Sequence, residues 1–66
     1  MDKIKTTMTM VRPDGSEHPL VLFYRQTENG PEFDEMVSAT KLTPQEQQGA
    51  IAHGMTLARK LMAHQA

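Results

Sequence analysis

Acid–base, metal and nucleophilic chemistry each require particular side chains at particular spacings, and this chain offers few of them. Four carboxylates, Glu28, Glu32, Asp34 and Glu35, crowd into one short stretch. A carboxylate pair can do general acid–base work when burial raises the pKa of one partner. These four fall on a turn and a strand end, so the pattern predicts a solvated acidic edge that a basic partner could recognise. The histidines are His18, His53 and His64. The last two share a helix flank but stand about 16 Å apart at helical rise, too far to hold one metal ion. His18 lies beside a turn, and all three read as surface residues. No Ser occupies a Gly-x-Ser-x-Gly elbow, and no glycine-rich loop leads into a helix with Lys-Ser/Thr after it. The absence of Cys removes disulfides and thiolate metal sites. No catalytic residue, metal ligand or cofactor is expected, and the chain is not expected to be an enzyme.

The elements that would position any site can be read from periodicity. Residues 3–11 alternate, with Ile4, Thr6, Met8 and Met10 on one side and Lys5, Thr7 and Thr9 on the other, the pattern of a half-buried strand. Pro13-Asp14-Gly15 then describes a hairpin loop with a glycine bulge. A second strand is expected over 19–26, with Leu20 to Tyr24 apolar on both faces. A third is expected over 32–39, alternating Phe33, Val37 and Ala39 against Asp34, Met36 and Ser38. Glu28-Asn29-Gly30-Pro31 is the hairpin signal between them.

The two turns imply registers. The first loop pairs Met8 with Leu20, Thr6 with Leu22 and Ile4 with Tyr24. An Asn29-Gly30 turn pairs Leu22 with Val37, Leu20 with Ala39 and Gln26 with Phe33, and sets Arg25 opposite Asp34 and Phe23 opposite Met36. Both registers gather apolar residues on one common face.

A helix is expected over 44–63. Thr43 is a suitable N-cap, Pro44 fits the first helical position and Glu46 completes a capping box. Ile51, Gly54, Met55, Ala58, Leu61 and Met62 recur at spacings of three and four. Within this run Ala50, Gly54 and Ala58 form a small-residue stripe. It suits either close packing on the chain's own sheet, the favoured reading, or a helix–helix seam between two copies. The fold class that follows is α+β: a three-stranded antiparallel β-meander packed on one C-terminal α-helix, βββα, as a single domain over 1–66.

Length and charge narrow the function. A chain of 66 residues buries only about 60% of its unfolded surface, so its stability is marginal and a partner or self-association is a natural supplement. No apolar run suits a signal peptide or a membrane span, which predicts a cytoplasmic protein without membrane contact. A net charge of −1 creates no global attraction for nucleic acid. One helix covers one sheet face. The other is expected to display Val21, Phe23 and Met36 flanked by Lys5, Arg25 and Asp34, an apolar centre with a charged rim of the kind found at protein interfaces.

These features predict a small protein-binding module. It would act as an inhibitor or adaptor of a larger protein complex, in the manner of mobile-element or phage-type accessory proteins, or would self-associate as a homodimer. The alternative is a nucleic-acid-binding accessory protein using the exposed sheet face. It is disfavoured because the helix start, Thr43-Pro44-Gln45-Glu46, is neither basic nor glycine-rich, and because Phe23 has no aromatic companion for base stacking.

Overall fold

Alternating side chains become a pleat in which every second residue turns toward a helix. A computed structural model describes residues 3–65; Met1, Asp2 and Ala66, the ends of the 1–66 domain expectation, lie outside the described residues. The elements are β1 (Lys3–Val11), β2 (Glu17–Thr27), β3 (Gly30–Ser38) and α1 (Pro44–Gln65). They form a three-stranded antiparallel sheet in the order β1-β2-β3, packed against the single C-terminal helix. β1 has its expected bounds, whereas β2 is longer at both ends, β3 starts and stops earlier, and α1 runs two residues further than 63.

The first hairpin has the expected register, with Ile4 opposite Tyr24, Thr6 opposite Leu22 and Met8 opposite Leu20. Gly15 closes its loop at φ 87°, a left-handed conformation that glycine adopts without strain. The Arg12 amide donates to the Ser16 carbonyl at 3.0 Å. Bonded and non-bonded pairs alternate from that closing pair down the ladder. Ile4, Thr6, Met8 and Met10 therefore direct their backbone groups at β2, while Lys3, Lys5, Thr7, Thr9 and Val11 direct theirs outward. Pro19, which has no N–H, lies opposite Thr9 at a non-bonded position.

The second hairpin departs from expectation. Gly30 takes φ 105°, the turn tightens onto Glu28 and Asn29, and Thr27 pairs with Gly30. Pro31 lies within β3 opposite Gln26, and Arg25 faces Glu32 instead of Asp34. A bulge opposite the Phe23/Tyr24 step then shifts the ladder by one residue at Asp34. Beyond it Phe23 faces Glu35, Leu22 faces Met36, Val21 faces Val37 and Leu20 faces Ser38. Met36 thus turns toward the helix and Val37 away from it, the reverse of the unbroken alternation.

The core joins Ile4, Leu20, Leu22 and Tyr24 from the sheet to Leu42, Ala50 and Ala58, with Phe33, Met36, Ile51 and Met55 packed around them. Buried Thr6 donates its hydroxyl to the Leu22 carbonyl at 3.1 Å, which satisfies it where water cannot. Phe33 meets the Tyr24 ring edge-on, with centroids 5.8 Å apart.

The helix starts at the expected capping box. The Glu46 amide donates to Thr43 Oγ1 at 3.2 Å, and the Thr43 amide donates to Glu46 Oε1 at 2.9 Å. Ala50, Gly54 and Ala58 are all buried, so the stripe packs on the chain's own sheet. There the Tyr24 hydroxyl donates to the Ile51 carbonyl at 2.6 Å. A Cβ on Gly54 would collide with that hydroxyl and press on the ring. Among the described residues no helix is long and apolar enough to cross a membrane.

Candidate binding face

The face of the sheet away from α1 carries Lys3, Lys5, Thr7 and Thr9 from β1, Val21, Phe23 and Arg25 from β2, and Glu32, Glu35 and Val37 from β3. This follows from the registers, since directly opposed residues share a face. Val21 and Phe23 are half-buried by their neighbours, while Val37 is 53% exposed. Val21 and Val37 are directly opposed and Phe23 lies two residues along β2, so the three form one contiguous apolar centre.

Charges gather at one end of this centre and pair among themselves. Lys3 Nζ lies 2.9 Å from Asp34 Oδ2 and 4.0 Å from Glu35 Oε1. Arg25 reaches Glu32 Oε1 at 3.7 Å and Asp34 Oδ1 at 4.0 Å. The bulge makes this geometry. Asp34 is the extra residue in the ladder, so its carboxylate can reach both Lys3, two strands away, and Arg25. The hydrogen bond that Lys3 donates to Asp34 holds its ammonium above the usual lysine range. Three of the four clustered carboxylates thus pair with cations, and none is arranged as a buried acid–base couple.

Of the six residues expected to bind a partner, Val21, Phe23, Lys5, Arg25 and Asp34 are brought together on or beside this face. Met36 is on the other side, half-buried against the core. Val37, which strict alternation turns inward, takes its place. The signal for this exchange is Phe33-Asp34-Glu35-Met36: two charged residues between two apolar ones cannot alternate cleanly, and a bulge resolves the conflict.

Two further clusters approach chemistry without assembling it. His18 is half-buried, not the simple surface residue expected, and both ring nitrogens are engaged: Nδ1 with Thr40 Oγ1 and Nε2 with Ser16 Oγ, each at 2.9 Å. Ser16 donates its hydroxyl proton to Asp14 Oδ1 at 2.6 Å, so His18 Nε2 is the donor to Ser16. This polarity is opposite to that of a base activating a serine nucleophile. The Ser16 hydroxyl and amide hold the Asp14 carboxyl below its ordinary range.

Arg12 makes a fork with Glu46, Nε to Oε2 at 2.9 Å and Nη2 to Oε1 at 3.0 Å, and also donates to the Lys41 carbonyl. That guanidinium, with the Thr43 amide, lowers the Glu46 pKa to about 2. The pair clips the first hairpin to the helix start, and no local spacing announces it. Among the described residues no group of three or more His, Asp or Glu stands close enough to hold a metal ion.

Two open grooves run between β1 and α1. One, of about 390 Å³, lies between Met8, Met10 and Leu20 on the sheet and Gly49 and Ala50 on the helix. The other, of about 270 Å³, lies between Thr6 and Thr7 on β1 and Leu57 and Leu61 on the helix. No protein-family model, curated protein or solved structure matches this chain.

Proposed function

We propose that this chain is a small non-enzymatic protein-binding module, an inhibitor or adaptor that covers or bridges a larger protein, and that it binds through the helix-free face of its sheet. The observation that carries this reading is the contiguous Val21–Phe23–Val37 centre on the helix-free face of the sheet, bordered by polar and charged side chains. An apolar centre inside a polar rim is the anatomy of a protein interface. The occupant that fits is an apolar patch of another protein carrying little net charge, because Lys3 and Arg25 are already met by Asp34, Glu32 and Glu35. The same pairing argues against nucleic acid, whose phosphates need cations released from carboxylates. A cytoplasmic setting goes with the lack of cysteine.

The test is a tagged pull-down from source-cell lysate, with and without nuclease, run in parallel with Phe23→Asp and Val37→Asp. A stoichiometric protein that resists nuclease and is lost with both variants, while their circular dichroism stays that of the folded chain, supports the reading. Equal recovery by the variants refutes this face as the site. Nucleic acid, or partners that vanish on nuclease treatment, refutes the protein-binding reading.

A further inference from the structure

The two edges of the sheet are not alike. β3 is interrupted twice, by Pro31 and by the bulge at Asp34, and these are devices that keep a strand edge from pairing with another. β1 has neither. It runs nine residues, Lys3–Val11, without proline, glycine or irregularity. Among the described residues, the outward N–H and C=O groups of Lys3, Lys5, Thr7, Thr9 and Val11 meet no strand. Both grooves also open along this edge, and Leu61, on the helix flank beside it, is 42% exposed. Edge, groove and helix flank thus form one unfinished side of the molecule.

We propose that β1 pairs antiparallel with β1 of a second copy of this chain, joining two sheets into one of six strands with both helices on the same face. The β1 sequence is self-complementary in this arrangement. The outward backbone groups lie at odd-numbered positions, so odd must meet odd. The register that engages the whole strand sets Thr7 against Thr7, Lys5 against Thr9 and Lys3 against Val11 of the second copy. On the helix side it sets Ile4 beside Met10 and Thr6 beside Met8, which continues the core across the twofold axis. The two lysines sit at one end of the strand, so antiparallel pairing keeps like charges apart. Met8, Met10, Leu57 and Leu61 gain apolar neighbours where one copy leaves open grooves. This inference does not rest on the proposed function, although it would place two Val21–Phe23–Val37 centres on one continuous surface.

The test uses the purified full chain in sedimentation and light scattering from micromolar to millimolar concentration. A dimer is expected, in which the amides of Lys5, Thr7 and Thr9 exchange slowly with solvent; a monomer throughout overturns the proposal, including in favour of a foreign strand at this edge. Thr7→Pro removes an N–H that β2 does not use, so the monomer fold is kept while dimer affinity falls at least about tenfold. Because a proline could disturb β1 itself, Thr9→Lys and Thr9→Glu give a second readout. Opposite Lys5, the lysine should weaken the dimer and the glutamate should strengthen it, each by about fivefold over the two symmetric contacts. A dimer indifferent to all three changes, or one split by Phe23→Asp instead, also overturns it.

Discussion

Gly49 and Gly54 are two helical glycines for which the same substitution should have opposite signs. Replacing a glycine by alanine inside a helix ordinarily stabilises by about 1 kcal/mol, because alanine loses less backbone entropy. Gly49 is exposed and a Cβ there would meet nothing within 4 Å. Gly49→Ala should therefore gain about that amount, which for a domain of this size raises the melting point by about 4–8 °C. At Gly54 a Cβ would collide with the Tyr24 hydroxyl and stand 3.0 Å from Cε1 and 3.1 Å from Cζ. The ring is fully buried and its hydroxyl is bonded to Ile51, so it has little freedom to yield. Overpacking of this kind costs about 1–3 kcal/mol, and displacing the hydroxyl forfeits about 1 kcal/mol more. Against the propensity gain, Gly54→Ala should be destabilising by about 1–3 kcal/mol. The pair is read by urea and thermal denaturation followed by helical circular dichroism. Combining Gly54→Ala with Tyr24→Phe should recover part of the loss, because the closest colliding atom is then absent, and a double-mutant cycle measures that coupling. If Gly54→Ala raises the melting point as Gly49→Ala does, the close approach of helix and sheet at Tyr24 is refuted.

Two titrations give further predictions. The folded Glu46 carboxyl titrates at about 2, down from 4.5, mainly through its hydrogen bond from Arg12. A depressed carboxyl contributes stability that is present above its unfolded value and lost as pH falls through the folded one, so urea midpoints should drop between about 4.5 and 2. Arg12→Gln should flatten that dependence, and an unchanged slope would assign the acid sensitivity elsewhere. At the alkaline end, burial raises the Tyr24 hydroxyl above 10.0. Its contribution is complete below that value and is lost as pH climbs through the folded pKa, so wild type should weaken at high pH more steeply than Tyr24→Phe. Equal alkaline curves would mean that Tyr24 is not buried as described.

The parts of the fold legible in the sequence are those set by local chemistry. Pro13-Asp14-Gly15 leaves few ways to close a hairpin, and the register it dictates is the one observed. Thr43 and Glu46 are three residues apart, so their reciprocal hydrogen bonds could be read from spacing alone. The second hairpin was less legible because two displacements act in opposite directions. Closing the turn one residue earlier moves β3 one way, and the extra residue at Asp34 moves it partly back. A strict period of two does not foresee such a correction, so Met36 and Val37 exchange faces although the sheet and its order are as expected. The Arg12–Glu46 fork and the Tyr24–Ile51 bond join residues far apart in the chain. Nothing local marks either one. A glycine in mid-helix facing an aromatic strand is the only trace of the second.

The short connections of the meander also govern the order in which the molecule can assemble. Five residues separate β1 from β2 and two separate β2 from β3, so each strand finds its neighbour by closing a small loop. Both hairpins can zip within microseconds. The helix has no such shortcut. Its deepest contact sets Gly54 against Tyr24, and that seat exists only once β1 and β3 flank β2 and the side chains around the tyrosine are in place. Docking of the helix is therefore the late event, and changes at Gly54 should act mainly on the unfolding rate, while changes at Gly15 act on the folding rate.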